Sequence, residues 1–354
     1  MLKSRRDLDT LLAAIEPADQ AVMARAQARL DNLTKPRGSL GKLEELAARV
    51  CAMRRDLAAR VDRKVIFTFA ADHGVVAEGV SGFPQEVTAQ MVANFLAGGA
   101  GVNVLARHVG AEVRVVDVGV AVPVAGDGLL VRKVRPGTAN MAKGPAMSEA
   151  EALAAIGVGV QVARDAIAQG AEILGTGEMG IGNTTAAAAV FAALLDIPAA
   201  EVTGRGTGID DAMLAHKKQV IAAVLEANRG RLADPLSTLA AVGGLEIAAI
   251  CGLVLEAARS RVPVVVDGFI SSAGALVAIR LKPEAGDYCF FSHLSAEQGH
   301  RLFFERTGLA PLLHLDLRLG EGTGAALAMN LVEAGLKIMN EMATFGEAGV
   351  SEGT

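Results

Sequence analysis

Residues 171–196 read AEILGTGEMGIGNTTAAAAVFAALLD. The opening run, Ala171 to Leu174, is short and apolar, which suits a buried strand. Gly175, Gly177, Gly180 and Gly182 follow in a polar loop where the backbone can approach a ligand closely. From Asn183 onward the sequence is helix-forming and unbroken to about Asp196. Strand, glycine-rich loop and helix in that order predict an α/β fold. The loop amides just ahead of the helix make an anion site, and Asn183, Thr184 and Thr185 add side-chain donors. A plain glycine-rich turn with an ordinary N-cap is the structural alternative.

The spacing of Gly175, Gly177 and Gly180 also matches the dinucleotide fingerprint, with Asp196 near the position of its acidic partner. That fingerprint needs a second strand before the acid. TTAAAAVFAALLD reads as one helix, which argues against a nicotinamide dinucleotide. There is no P-loop pattern.

The same alternation recurs along the chain. Further buried-strand runs are KVIFTFA from Lys64, EVRVVDVG from Glu112, VPVVVDG from Val262, DYCFFS from Asp287 and LLHLDLR from Leu312. With AEILGTG this predicts a three-layer, doubly wound α/β domain on a mainly parallel sheet of about six strands. Ligands in such sheets bind at the C-terminal strand edge. The loops there are chemically rich: ADHGVVAEGVSGFPQ, VDGFISSAG, SHLSAEQGH and LGEGTG. Helical patterns at residues 7–30 and 39–59 flank the turn KPRGSLGK, and a last helix runs from Glu321 to about Phe345. The expected organisation is a catalytic domain at 61–320 and a small helical domain from 1–60 and 321–354.

Composition narrows the function. The 354 residues are 51% hydrophobic and 21% charged, enough for a substantial core, but only 3% are aromatic. Ala, Val, Leu and Gly must fill that core. A net charge of -5, with few aromatics, argues against nucleic acid. Cys51, Cys251 and Cys289 are far apart in sequence, so neither a zinc site nor a disulfide framework is expected, and a reducing cytoplasm fits. The N-terminus has no secretory h-region. The most membrane-like stretch, from Leu236, carries Glu246 and is broken by Gly243-Gly244, so a buried helix pair is expected there.

Other candidates carry two readings each. TGRGTGID from Thr203 offers Gly206, Thr207 and Gly208 to a phosphate, with Asp210 as a helix N-cap. Lys217 on the following helix is a point charge for that phosphate, or, like Lys218, a solvated lysine. Asp72 and His73 could ligate a metal or orient a base, but with no second ligand at metal spacing they suit a polar structural loop; His293 and His300 suit hydrogen-bonding or capping roles. Glu321, at a helix start beside Leu317 and Leu319, is either a carboxylate of tuned proton affinity or a partner of the helix dipole.

DHGVVAEGVSGFPQEVTAQMVANFLAGGAGVNVLAR, GTGEMGIGNTTAAAA, TGRGTGID, VDGFISSAGAL, SHLSAEQGH and LRLGEGTGAALA together resemble the nicotinate-nucleotide–dimethylbenzimidazole phosphoribosyltransferase family. The resemblance runs from KPRGSLG to the last helix. It implies a dimeric enzyme of cobalamin lower-ligand assembly that uses nicotinate mononucleotide and 5,6-dimethylbenzimidazole, with no metal or redox cofactor. By resemblance, Glu321 is the catalytic base. Glu178, Gly180, Gly182, Asn183, Thr184, Thr207, Lys217 and Ser295 bind phosphate and ribose. Ser81, Phe83, Gln90, Met179 and Leu319 form the benzimidazole pocket. A non-catalytic nucleotide sensor on the same fold is the competing reading; it needs the anion loop but no carboxylate near the anomeric carbon.

Overall fold

The computed structural model describes residues 2–206 and 208–351. Seven strands form one sheet: β1 (Lys64–Ala71), β2 (Ala111–Gly119), β3 (Leu130–Val131), β4 (Ile173–Met179), β5 (Val264–Val266), β6 (Cys289–His293) and β7 (Pro311–Leu313). Their order is β3-β2-β1-β4-β5-β6-β7, and every neighbouring pair is parallel. The six strand runs read from the sequence are all present. The seventh, β3, is a two-residue edge strand too short to leave a periodic signal. β1 is buried along its whole length, as a central parallel strand covered on both faces must be.

The helices, in chain order, are α1 (Arg5–Ala13), α2 (Gln20–Asp31), α3 (Lys42–Arg54), α4 (Val87–Leu96), α5 (Gly101–Val109), α6 (Glu149–Ala168), α7 (Asn183–Leu195), α8 (Ala199–Val202), α9 (Asp211–Ala227), α10 (Pro235–Val242), α11 (Leu245–Arg259), α12 (Phe269–Leu281), α13 (Gln298–Thr307), α14 (Thr323–Glu341) and α15 (Phe345–Ala348). On one side α14 packs on β4, β5 and β6 and meets α5 and α3; on the other, α11 packs against α6 and α12. The α6–α11 crossing shows how a core poor in aromatics closes. A Cβ on Gly159 would lie 1.8 Å from the Ala249 carbonyl oxygen, so the two backbones touch.

Three sequence expectations shift. The helical pattern at 7–30 is two helices, because Pro17 supplies no amide to continue the first, and Asp19 caps the second through the amides of Ala21 and Val22. The pattern at 39–59 is the shorter α3. The last helix starts at Thr323: Gly320, Glu321 and Gly322 have φ of +84°, +65° and +108°, outside the right-handed helical region. The stretch from Leu236 is the buried pair α10 and α11, parted at Gly243-Gly244. The apolar run 87–109 is likewise two helices, α4 and α5, separated by Gly98 and Gly99.

Candidate functional site

The chain leaves β1 for β2 and β3 on one side, then returns to β4 on the other. The switch point therefore lies between β1 and β4, where a crevice opens beyond the strand C-termini. A cleft of about 280 Å³ lies beyond the C-terminal ends of β4, β5 and β6 on that same edge. Glu178, Met179, Gly180, Asn183, Thr184, Ser295, Phe83 and Leu319 line it, from separate stretches of chain. Phe83 and Leu319 are half-exposed or more, at 50% and 59%. A larger groove of about 800 Å³ lies among α2, α3, α12 and α13, by the N-terminal ends of β6 and β7, and none of the candidate residues lines it.

The glycine loop is partly self-satisfied. The Ile181 amide donates to Thr88 Oγ1 at 3.1 Å, Asn183 to the Gly180 carbonyl at 3.1 Å and Thr185 to that of Gly182 at 3.0 Å. The amides of Gly182 and Thr184 have no acceptor among the described residues. α7 runs unbroken from Asn183 to Leu195, so no second strand precedes Asp196, and the dinucleotide pattern is incidental. Asp210 caps α9 through the Met213 amide at 2.8 Å, as its position suggested.

Lys217 is 1% exposed. Its Nζ donates to Thr184 Oγ1 at 2.8 Å, and no carboxylate comes within ion-pair distance among the described residues. Burial pulls this ammonium down to about 8, with Glu297 opposing. Gly206 adjoins it: a Cβ there would lie 2.9 Å from Thr184 Oγ1 and 3.2 Å from Nζ. Thr207 lies outside the described residues. Lys218, its neighbour on α9, is half-buried.

Carboxylates gather on the same cleft. Glu178, at the end of β4, accepts from Asn183 Nδ2. Burial first, then Asp267, Glu246 and Glu321, push it well above the ordinary carboxylate range. Asp267, at the end of β5, caps α14: it accepts from the Gly322 amide at 3.1 Å and the Ala325 amide at 2.9 Å. Burial still carries it up to about 7 against those bonds. Glu321 is 5% exposed and the one deeply buried non-glycine residue with left-handed φ among the described residues. Its Oε2 accepts from the Val102 amide at 3.1 Å, and its carbonyl accepts from Thr68 Oγ1 at 2.9 Å. Burial raises its proton affinity, while the α5 amides of Val102 and Gly101 oppose the rise. The turn is seated on β4 so tightly that a Cβ on Gly177 would fall 2.0 Å from the Glu321 carbonyl oxygen.

Glu321, Lys217 and Gly182 touch wall residues without lining the cleft themselves. Ser81 is in a local turn, exchanging hydrogen bonds with the Phe83 backbone at 3.1 and 3.2 Å. Gln90 is exposed on α4 and is not brought to the cleft. His73 is a buried ion-pair partner, its Nε2 2.7 Å from Glu246 Oε1; burial works against the imidazolium, but Glu246 and Asp72 outweigh it. His300 is buried in the first turn of α13, bridging the Ser295 amide and Ser272 Oγ, and burial drops it to about 3. Sequence reasoning missed Asp267, Glu297 and Arg318, and gave His293 no place in the cleft. Asp267, His293 and Glu297 come from loops already marked as chemically rich and Arg318 from the end of the last strand run, but nothing in a single sequence singles out those positions.

A family model described as "Phosphoribosyltransferase" matches residues 15–350. Curated relatives include the nicotinate-nucleotide–dimethylbenzimidazole phosphoribosyltransferase of Geotalea uraniireducens, 60% identical over 347 residues, covering 98% of this chain and 99% of the relative. That of Geobacter sulfurreducens is 60% identical over 348 residues with the same coverage. Among solved structures, CobT from Thermus thermophilus superposes with a TM-score of 0.90 at 52% identity, over 94% of this chain and 100% of that one.

Proposed function

The chain belongs to the family of nicotinate-nucleotide–dimethylbenzimidazole phosphoribosyltransferases, and from that premise we propose how its cleft divides the work. The reaction moves the 5-phosphoribosyl group of nicotinate mononucleotide to 5,6-dimethylbenzimidazole. It gives α-ribazole 5′-phosphate and nicotinate and serves cobalamin biosynthesis. The observation that carries the division is the pairing of a buried, un-neutralised Lys217 with a set of buried carboxylates around one cleft.

Lys217, Thr184 and the free amides of the 180–184 loop hold the phosphate. A buried ammonium without a carboxylate partner is costly until an anion arrives. Ser295 stands on the same wall, and Thr207 belongs to the neighbouring loop. Phosphate binding fixes the ribose, so its free energy serves orientation. Phe83, Met179 and Leu319 offer apolar surface to the benzimidazole. Ser81 and Gln90, assigned to that pocket by resemblance, belong to the same 81–90 segment as Phe83 without lining the cleft.

A benzimidazole ring nitrogen attacks the anomeric carbon from the face opposite nicotinate. The C1′–N bond breaks with its electron pair on the nicotinate nitrogen, so that group leaves without an acid. The new nucleoside ring stays cationic unless its N–H proton departs. Glu321 accepts that proton as general base, a role worth typically ~10²–10⁴-fold. Its left-handed backbone supports the assignment, since strain of this kind persists where surrounding structure holds a functional group in place. Burial and the neighbouring carboxylates raise the proton affinity of Glu178, so this carboxyl can donate to substrate when protonated and accept when not.

We propose a homodimer, as the resemblance implies, and a cytoplasmic location, which suits three buried free thiols. We also propose the helices of residues 1–60, with 321–354, as a small helical unit; α3 packs on α2 and α14. The test of the reading is direct: mixing the protein with nicotinate mononucleotide and dimethylbenzimidazole releases stoichiometric nicotinate. Nucleotide binding without nicotinate release would leave only a sensor.

A further inference from the structure

His293 ends β6 and lines the cleft. Its Nδ1 lies 2.9 Å from Ser292 Oγ, and the same hydroxyl lies 2.7 Å from the Asp267 carbonyl oxygen. A serine hydroxyl has one proton, and a carbonyl can only accept. At 2.7 Å the Ser292 proton must point at Asp267, or two oxygen lone pairs would face each other. The Ser292 oxygen is then an acceptor towards His293, so Nδ1 carries the ring proton. The chain of bonds fixes the tautomer, and Nε2 is left with its lone pair. Burial holds the imidazole neutral by dropping it to about 4. Nε2 has no protein partner among the described residues, and Gly268, where a Cβ would stand 3.6 Å from Nε2, leaves it open to the cleft.

The substrates have few donors to offer. Nicotinate mononucleotide at neutral pH has an anionic phosphate and a carboxylate, both acceptors; its donors are the two ribose hydroxyls. Dimethylbenzimidazole adds one N–H, whose proton goes to a base. A histidine held neutral down to about pH 4 is a poor proton acceptor but a good hydrogen-bond acceptor. We propose that His293 is a specificity-determining residue: its Nε2, held as an acceptor by the Asp267 carbonyl–Ser292–Nδ1 chain, takes a hydrogen bond from a ribose hydroxyl and selects ribonucleotides over their deoxy counterparts. Ser292 is then a positioning residue that acts through the ring. The proposal rests on the transferase reading only in taking the mononucleotide as the ligand.

The experiment compares nicotinate mononucleotide with its 2′-deoxy and 3′-deoxy analogues, by kcat/KM and by calorimetric binding. Wild-type protein is expected to disfavour one analogue by roughly 10- to 100-fold, the usual range for leaving one buried acceptor unpaired. His293→Leu should lose that factor on the ribonucleotide and almost nothing on the disfavoured analogue. His293→Gln, whose amide oxygen can reach the Nε2 position, should recover part of the preference. Ser292→Ala, which frees the tautomer, should fall between. Equal losses on both nucleotides in His293→Leu, with His293→Gln no better, would make the residue structural and overturn the proposal. So would a wild type indifferent to both analogues. If no nicotinate is released but binding still prefers ribose, the transferase reading fails and this inference stands.

Discussion

Glu321 Oε2 accepts the amide of Val102 at 3.1 Å, so the first turn of α5 orients a carboxylate that belongs to a loop more than two hundred residues later. The helix dipole favours the anion there and burial disfavours it; the net direction is up. Glu321→Gln keeps an oxygen for Val102 and removes the proton acceptor. Turnover should fall by roughly 10²-fold or more, with both Michaelis constants little changed. In the wild type, the rate should rise with pH through the raised glutamate value and level off; the variant should lack that limb, leaving only benzimidazole ionisation. A benzimidazole methylated on one ring nitrogen has no proton to lose and should be used equally by both. Near wild-type turnover by Glu321→Gln on dimethylbenzimidazole would move the role to Glu178.

Lys217 makes nucleotide capture pH-dependent from the alkaline side. A lysine held near 8 loses its charge as pH rises through that value. Since kcat/KM reports the free enzyme, that for the nucleotide should fall above pH 8 by up to about tenfold per pH unit. Lys217→Met should be weak and flat over the same range, with the benzimidazole constant barely moved. A Lys217→Met variant that keeps the wild-type kcat/KM for the nucleotide at about pH 7 would remove Lys217 from the phosphate site.

Gly182 has φ +93°, and a Cβ there would lie 2.7 Å from Val76 Cγ2 and 3.3 Å from His73 Cβ. A bulky replacement must push the loop off its seat. Gly182→Leu should raise the nucleotide Michaelis constant more than the benzimidazole one, and should cost on the order of 1–3 kcal/mol of stability. Equal changes in both constants, measured on folded protein, would count against the loop as the phosphate seat.

Asp267 links folding to protons. Its folded value of about 7 lies above its ordinary 3.8, so the native state binds the extra proton between those values. The stabilisation is complete below about 3.8 and is lost as pH rises through about 7. Urea midpoints taken from about pH 4 to 8 should carry this decline, and Asp267→Asn should flatten it. The amide would still be weaker overall, having one oxygen for two backbone donors at the start of α14. An unchanged pH slope in the variant would assign the proton elsewhere.

A homodimer should give twice the 36.3 kDa chain mass in light scattering at micromolar concentration. A monomer mass at that concentration would overturn this assignment.

The sheet was legible because parallel central strands are buried on both faces, and KVIFTFA or VPVVVDG can do little else. β3 was not, since two residues carry no period. The glycine loop could be read because glycines and a helix start act locally. What Glu246 and Asp267 do depends on partners far along the chain: His73 lies 173 residues from Glu246, and Asp267 55 from Gly322. Such pairings follow from topology, which brings several loops to one edge, and no local pattern announces them. Gln90 shows a different limit: a residue carried by resemblance stands exposed on α4, and its position alone assigns it no contact.

The contact between Thr68 and the Glu321 carbonyl spans 253 residues, and all seven strands are complete before the 320–322 turn is reached. During synthesis, a ribosome therefore releases the whole phosphate-holding half of the site before the carboxylate turn and α14 emerge. A chain stopped short of residue 321 has every strand and the glycine loop, but Gly177 faces an empty seat. Such a fragment also lacks α14, so one face of β4, β5 and β6 stays bare until the last helix docks. The final thirty or so residues therefore close the core and deliver the carboxylate in the same step.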